Sequence, residues 1–121
     1  ITRGLDIFEL APSAFVSHNE IDAAKTVHFD YYNTQDQQKF VWPPSFAVAR
    51  AYVDQLERSG GLSSSRISSV RNALTAAEGR SGSGRRSALN TLARQLDADA
   101  RNSSDAAKVR VLQTAVRDLA R

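Results

Sequence analysis

The chain has 121 residues, of which 41% are hydrophobic and 24% charged, with a formal net charge of +3 at pH 7. This length allows one compact domain with its own core, and the absence of cysteine excludes disulfide frameworks, thiolate catalysis and Cys-based zinc sites. The apolar runs are too short for a membrane-spanning helix. Because the chain begins at Ile1 and contains no methionine, we expect it to be a processed or excised piece of a longer protein.

The charge is unevenly distributed along the chain. Residues 1–59 carry five basic and eight acidic side chains, whereas residues 60–121 carry eleven basic and five acidic ones. A basic half favours an acidic partner, which includes nucleic acid, an anionic surface and the first half of the same chain. The stronger alternative is that most of these arginines lie on solvated helix faces.

The first predicted element is a short strand or extended arm. Residues 5–10 alternate apolar and polar side chains with period two, and Pro12 ends the pattern. No second strand pattern follows. The arm therefore lies in a groove of the helical body or completes a sheet of another domain or chain, and we favour the second alternative. The residues expected to dock are Leu5, Ile7, Phe8 and Leu10.

A capping box predicts a short helix after the arm. Ser17 and Glu20 have the spacing at which each side chain bonds the other residue's backbone amide. We expect this helix to end at about Val27 or His28. The expected buried face is Ile21, Ala24 and His28, and the expected staple before the cap is Phe15 or Val16.

An aromatic-rich leader follows, interrupted by a polar stretch over residues 33–39. Its aromatic residues are Phe29, Tyr31, Tyr32, Phe40 and Trp42. Tyrosine and tryptophan combine a broad apolar face with a polar group, which suits a docking surface formed by Tyr31, Tyr32, Phe40 and Trp42. The interpretation that we favour for the aromatic group is structural, because a small helical domain needs large side chains to fix the leader to the helices.

Four amphipathic patterns occupy residues 44–121, with apolar side chains recurring every three or four residues. The first pattern begins at Pro44 and ends at Gly60–Gly61, and the second begins at Ser63 or Ser64 and ends at Gly79. The third follows a flexible link over residues 81–84 and ends near Asn102. The fourth begins at Ser103 or Ser104, with Asp105 at the positive end of the helix dipole. Short links favour antiparallel neighbours. We therefore predict an all-α fold: an antiparallel helical bundle of about four main helices, a short leader helix and an extended N-terminal segment. Residues 1–43 form the leader and residues 44–121 the bundle, together one compact domain.

The sequence contains no recognisable catalytic motif, phosphate-binding loop or set of metal ligands. His18 and Asp22 share a helix face, but a third ligand at a recognisable spacing is missing. We predict no catalytic residues, no metal and no cofactor. The densest basic group is Arg80, Arg85 and Arg86, beside a helix start that could accept a phosphate; a solvated, mobile link is the alternative.

The remaining arginines provide a structural criterion for anion binding. Gathered on one exposed face they would favour an anionic partner, whereas pairing with acidic residues would favour a structural role. The arginines are Arg66, Arg71, Arg85, Arg94, Arg110 and Arg117, and the acids are Glu78, Asp97, Asp99 and Asp118.

Four short segments resemble a known family. They are Arg-Gly-Leu-Asp-Ile-Phe-Glu-Leu at 3–10, Ser-His-Asn-Glu-Ile-Asp-Ala-Ala at 17–24, Trp-Pro-Pro at 42–44 and Ala-Tyr-Val-Asp-Gln-Leu at 51–56. The chain is similar to the C-terminal helical region of bacterial secreted proteins with LVIVD-type β-propeller repeats. There, a strand like the first segment closes the propeller. The resemblance implies a non-catalytic accessory region on an exported protein, secreted or periplasmic, and it implies no catalytic residues.

Two functional hypotheses follow. The first is a non-catalytic structural or interaction module that docks another protein domain or subunit through the arm and the aromatic leader. The alternative is a basic helical domain that binds nucleic acid or another anionic partner through its arginines. An enzyme ranks third, since only common residue types would support it.

Overall fold

The structure is a computed structural model, and it describes residues 4–33, 35–36 and 38–121. These residues contain five α-helices and no strand, which confirms the predicted all-α class. The helices are α1 (His18–Ala24), α2 (Phe46–Ser59), α3 (Ser64–Glu78), α4 (Gly82–Asn102) and α5 (Ala106–Leu119). None of the described helices combines the length and the hydropathy that crossing a bilayer requires.

Helix α1 begins at the predicted capping box but ends earlier than expected. The Ser17 hydroxyl accepts a hydrogen bond from the Glu20 amide at 3.1 Å, and the Glu20 carboxylate accepts one from the Ser17 amide at 2.7 Å. The Thr26 hydroxyl then donates to the Ala23 carbonyl at 2.7 Å, and the Thr26 amide bonds the same oxygen. This tight turn ends the helix at Ala24, so the prediction of an end at Val27 or His28 is wrong.

The buried face of α1 also differs from the predicted one. Ile21 and Ala23 are buried, whereas Ala24 and His28 are exposed. Of the two candidate staples, Val16 is half-buried and Phe15 is exposed. Helix α1 contacts α2 alone among the helices, and the strip that it buries contains Ala23 and not the predicted Ala24 and His28.

The ends of α2 and α3 follow the predicted signals with small shifts. The Ser45 hydroxyl caps α2 by accepting from the Val48 amide at 3.1 Å, so Pro44 lies before the cap and not in the first turn. Gly60 ends α2 in the left-handed conformation, with a φ of 66°. Ser63 caps α3, as one of the two predicted alternatives.

Residues 82–84 of the predicted flexible link belong to α4, which begins at Gly82. Its position is fixed by Arg85, whose guanidinium donates to the carbonyls of Arg80 at 2.7 Å and Glu78 at 3.1 Å. The bond to Glu78 satisfies an oxygen in the last turn of α3 that has no partner inside the helix, and the bond to Arg80 holds the connection that follows. The connection between the two helices is therefore only Gly79–Ser81.

Helix α5 is capped by Asp105 and not by the preceding serines. The Asp105 carboxylate accepts from the Lys108 amide at 3.1 Å. The hydroxyls of Ser103 and Ser104 donate instead to the carbonyls of Gly61 and Gly60, at 2.6 and 3.3 Å. They join the loop between α4 and α5 to the loop between α2 and α3.

The four long helices form a closed antiparallel ring. Each of α2 to α5 contacts the next along the chain, and α2 also contacts α5. Their shared core is aliphatic, and its buried members are Ala49, Val53, Leu56, Ile67, Val70, Leu74, Ala77, Leu89, Leu92, Ala93, Leu96, Ala100, Val109, Leu112 and Val116. Helix α1 packs outside the ring and contacts α2 alone among the helices.

Candidate docking surface

Large exposed apolar side chains are concentrated at the N-terminal end of the chain. Among the described residues there are twelve, of which eleven precede Pro43 and only Val111 belongs to the helical ring. The eleven are Leu5, Ile7, Phe8, Leu10, Phe15, Phe29, Tyr31, Tyr32, Phe40, Val41 and Trp42. An exposed apolar surface concentrated in one segment is typical of an interaction site, whereas single scattered residues are not.

The arm projects its apolar side chains into solvent. The exposed fractions are 83% for Leu5, 86% for Ile7, 89% for Phe8 and 64% for Leu10. Residues 4–12 form neither a helix nor a strand. The arm therefore does not lie in a groove of its own helical body, which was one of the two alternatives.

The aromatic residues of the leader contact one another in a chain of rings. Ring centroids are 5.8 Å apart for Phe29 and Tyr32, 5.4 Å for Phe29 and Phe40, and 6.5 Å for the stacked pair Phe40 and Trp42. All of these rings, and Tyr31, are exposed by 39% to 72%. Aliphatic side chains of α2 to α5 fill the core, so these rings lie outside it. The favoured interpretation, that the aromatic group fixes the leader to the helices, stays a prediction.

The leader is held on the ring by an ion pair between α1 and α2. Nη2 and Nη1 of Arg58 donate to the Glu20 carboxylate at 2.6 and 3.1 Å, and the Gln55 side-chain amide adds a bond at 3.0 Å. The bonds from Arg58 lower the pKa of Glu20 from 4.5 to about 2, against the opposing effect of burial. The carboxylate therefore stays charged and bound far below neutral pH.

A second polar contact joins the start of α1 to α2 and α3. The buried Asp54 carboxylate accepts from the Asn19 amide at 2.8 Å and from the Arg71 guanidinium at 2.7 Å. Burial alone would raise the pKa of Asp54, but the hydrogen bonds from Arg71, Ser17 and Asn19 outweigh it and the pKa is lowered. Arg71 also bonds Glu57, which lowers the pKa of that carboxyl.

A groove lies between α1 and α5, with α2 as its floor, because the two outer helices do not contact each other. It consists of two clefts of about 270 and 210 Å³ that share Trp42, Val48 and Tyr52. The other apolar residues along the walls are Val16, Ala23, Ala51, Pro43, Pro44, Val111 and Ala115. We call this feature the α1–α5 groove.

The predicted anion site does not present a free group of arginines. The Arg85 side chain bonds backbone carbonyls, as described above, and stands 5.9 Å from the centroid of the Phe46 ring. Arg86 donates to the Ala120 carbonyl at 3.2 Å, at the end of α5. Of the three, Arg80 alone offers its side chain to solvent with no described hydrogen bond.

Several of the other arginines are paired. Ion pairs within the described residues include Arg50–Glu78, Arg66–Asp99, Arg71–Asp54, Arg101–Asp97 and Arg121–Asp118. Each of the four acids named by the sequence criterion therefore has an arginine partner. Arg94, Arg110 and Arg117 are exposed on α4 and α5 without an ion pair among the described residues.

His18 and Asp22 lie together on one face of α1, as their spacing predicts. Nε2 of His18 lies 3.4 Å from the Asp22 carboxylate, one turn further on. Within the described residues, no group of three or more His, Cys, Asp or Glu side chains is arranged to hold a metal ion.

Sequence reasoning missed the groove and three of the exposed apolar residues. Phe15 was considered only as a staple, and Val41 and Val111 were not considered for docking. Val111 has a detectable signal, since it is an apolar residue beside the buried stripe of α5 and not within it. The groove has no such signal, because it depends on where α1 packs.

Comparisons of the chain with protein-family models, with curated proteins and with solved structures found no match. The resemblance to the region that follows LVIVD-type propeller repeats stays a prediction.

Proposed function

We propose that this protein is a non-catalytic interaction module that docks another protein domain or subunit through its arm and aromatic leader. The observation that carries the proposal is the concentration of eleven of the twelve large exposed apolar side chains before residue 43. The helical ring buries its own apolar stripe almost completely, so the leader is the part of the chain with apolar surface left to cover.

The arm has the chemistry of a segment that is covered on both sides when bound. In an extended strand, Leu5 and Ile7 point to one face, and Phe8 and Leu10 point to the other. The alternation is therefore two-sided, and not the one-sided pattern of a strand that faces water. Such a segment gains most by entering a partner site, where the side chains fill pockets and the backbone bonds an exposed strand or loop.

The leader also has a rigid base from which to bind. The polar contacts of Glu20 and Asp54 fix α1 against α2, and the serine cap fixes where the arm leaves the helix. A surface that is already positioned loses less conformational entropy on binding than a free segment does. The base thus supports docking, whereas the arm supplies the apolar contacts.

A quantitative pull-down from extract of the source cells tests the proposal. The baits are the full chain, a chain lacking residues 1–11, and the double variant Ile7→Asp with Phe8→Asp. We expect a partner protein that the full chain enriches and that both altered baits lose at least tenfold, since they remove the apolar contacts. Binding of the purified partner, measured by sedimentation, then gives the affinity ratio directly.

Two controls accompany this experiment. Circular dichroism should show unchanged helix content for both altered baits, because residues 12–121 contain all five helices. The variant Arg94→Ala changes an exposed side chain on the ring and should retain the partner. Equal recovery of every bound protein by the full chain and by the arm variants would refute the proposal.

The resemblance noted in the sequence suggests where in a larger protein this module would lie. It would place this module at the end of an exported bacterial protein, secreted or periplasmic, with the docked domain in the same or a neighbouring chain. Nucleic acid is not part of the proposal, because Arg85, Arg86, Arg66 and Arg71 already bind groups of the protein itself.

A further inference from the structure

We propose that the outer face of α4 and α5 binds the phosphate backbone of double-stranded nucleic acid without reading its base sequence. Five exposed arginines occupy this face, and we call them the arginine strip. They are Arg86, Arg94 and Arg101 on α4 and Arg110 and Arg117 on α5. The strip contains no residue of the arm or the leader, so this inference does not depend on the proposed function.

Two hydrogen bonds show how α4 and α5 lie against each other. The Gln113 side-chain amide on α5 donates to the Ala93 carbonyl on α4 at 3.0 Å. Towards the other end of the pair, Nε of Arg86 donates to the Ala120 carbonyl at 3.2 Å. Arg86 therefore lies where α4 meets the end of α5, and Gln113 marks the side of α5 that faces α4.

Arg110 and Arg117 border this seam on the α5 side. They stand three residues before and four residues after Gln113, and side chains at these spacings are neighbours on a helix surface. Both are exposed, and neither forms an ion pair within the described residues. Their charges therefore face solvent beside α4.

Arg101 and Arg94 lie on the α4 side of the same seam. Nη2 of Arg101 donates to the Asp97 carboxylate at 2.9 Å, and the Gln113 side chain donates to it from α5 at 3.4 Å. These hydrogen bonds, that of Gln113 first, lower the pKa of Asp97, and the charge of Arg117 lowers it further. Arginines of both helices thus approach Asp97, and Arg94 stands three residues before it on α4.

The acidic residues of α4 and α5, which are described throughout, leave the strip strongly positive. Asp97 lies among the arginines. Asp99 accepts from Arg66 on α3 at 2.7 Å, on the other side of α4. Asp105 caps the start of α5, and Asp118 lines the α1–α5 groove. The strip therefore carries five positive charges and one negative charge.

The chemistry of the strip suits phosphate. All five cations are arginines, whose planar guanidinium groups bind phosphate through two parallel hydrogen bonds. A guanidinium has five N–H donors. The bonds that Arg86, Arg94 and Arg101 form within the protein use one donor each, so every member of the strip has donors left for a ligand.

The strip lacks the side chains that other anionic partners require. The large exposed apolar residue of α4 and α5 is Val111, which lines the α1–α5 groove. Single-stranded nucleic acid binds through aromatic side chains on which its bases stack, a protein interface has apolar anchors at its centre, and a membrane-surface helix has an apolar face. The backbone of a duplex needs only cations and hydrogen-bond donors.

The dimensions of the strip also match a duplex. Fifteen residues separate Arg86 from Arg101, which is about 22 Å along a helix, and the row on α5 lies about 8–10 Å away. A duplex carries one negative charge per roughly 1.7 Å of its axis. A segment as long as the strip thus offers about a dozen phosphates to five arginines.

Binding of the full chain to a labelled 24-base-pair duplex of mixed sequence, measured by fluorescence anisotropy between 50 and 200 mM KCl, tests the inference. Each phosphate contact contributes about −0.9 to the slope of log K against log salt. We expect a slope of about −3 to −5 for the full chain. The triple variant Arg94→Gln, Arg110→Gln and Arg117→Gln should make the slope shallower by about 2–3 and weaken binding at 50 mM at least thirtyfold.

A second triple variant is the matched control. Lys25→Gln, Lys39→Gln and Arg80→Gln remove the same number of charges from exposed positions outside the strip, and they should leave affinity within about threefold and the slope unchanged. Asp97→Asn tests the opposite direction, because it removes the acid among the arginines and should tighten binding. Circular dichroism of every variant checks that the helices are retained.

A full chain that does not bind the duplex at 50 mM KCl would overturn the inference. So would a control variant as damaging as the strip variant, or Asp97→Asn that weakens binding. Tighter binding to phosphatidylglycerol vesicles or to polyglutamate than to the duplex, lost in the strip variant, would assign the strip to a membrane or an acidic protein instead. The proposed function fails separately, when partner capture is insensitive to the arm.

Discussion

The Glu20 carboxylate accepts four hydrogen bonds, of which the three from α2 connect the leader to the ring. It accepts from the Ser17 amide within its own helix cap, from the Gln55 side chain, and twice from Arg58. The capping box is a local device that sequence spacing identifies, whereas the contact with Arg58 joins residues 38 positions apart. One side chain therefore starts the helix and also fixes where the helix lies.

The lowered pKa of Glu20 makes the stability of the contact between α1 and α2 depend on pH in the acidic range. Because the folded pKa is about 2 and the ordinary value is 4.5, the contribution is complete above about pH 5 and is lost as the pH falls towards 2. At neutral pH we expect the lowered pKa of Glu20 to add roughly 1–3 kcal/mol to the free energy of unfolding, reduced by solvent screening on the exposed side of Arg58. Glu20→Gln should flatten the curve of unfolding free energy against pH within this window.

The variant Arg58→Met provides the matching control. It removes the same ion pair from the other side, so it should flatten the acid part of the curve to a similar degree. The double variant should lose less than the sum of the single losses, as coupled residues do. Additive losses with an unchanged pH slope would mean that the pair does not hold α1.

Two glycines of the ring predict opposite responses to the same substitution. Gly60 has a φ of 66° at the end of α2, a conformation that disfavours a side chain, so Gly60→Ala should lower the unfolding free energy by about 1–2 kcal/mol. Gly84 lies inside α4 with no atom within 4 Å of the position of an added Cβ. Gly84→Ala should therefore raise the unfolding free energy by about 0.5–1 kcal/mol. Urea titration of both variants measures the two signs.

At the scale of elements, the long helices are held by one continuous aliphatic core. Leu92 on α4 and Leu112 on α5 are fully buried within it. Helices α4 and α5 are neighbours in the ring, and α4 also packs against α3. A cavity at either leucine therefore affects the interfaces of more than one helix.

Truncating these core leucines should be costly. We expect Leu92→Ala and Leu112→Ala each to lower the unfolding free energy by about 2–5 kcal/mol, because the ring cannot close fully over the cavity. Leu10→Ala removes the same atoms from an exposed arm position and should change stability by less than about 0.5 kcal/mol. Thermal and urea unfolding compare the three, and a small loss for the core variants would contradict the assigned core.

The sequence allowed prediction of the ring better than of its connections. Apolar residues at helical spacing identify α2 to α5 because burial in a bundle follows that spacing directly. The start of α4 was wrong because Gly82 and Gly84 favour a loop locally, whereas Arg85 holds the segment through the oxygens of α3. The exposed arm was predictable from its pattern. The groove was not, because it exists only once α1 has packed on α2.

At the scale of the whole molecule, the ring is complete without the leader. The main core contains no residue of α1, and α1 covers only a smaller cluster of Ala23, Val48 and Ala51. The predicted division at residue 43 places α1 in the leader, and α1 packs against α2 of the ring. The leader is thus an addition to a domain that closes on itself.

A fragment of residues 44–121 should therefore fold alone. We expect cooperative unfolding with a free energy lower by roughly 2–4 kcal/mol than that of the full chain, because Val48 and Ala51 lose their cover. Calorimetry of the fragment and the full chain measures the difference. A fragment without a cooperative transition would show that α1 is part of the folding unit.

Because α1 is attached to α2 alone among the helices, we expect α1 to open locally at a lower free energy than the ring needs to unfold. Segments with few buried contacts exchange their amide hydrogens through local openings, at a lower free energy than the core requires. Any partner that binds the leader only while α1 is docked must slow exchange in those seven residues by mass action. Amide protection in α1 would then show whether a partner occupies the leader, whereas amide exchange in the ring would be unchanged.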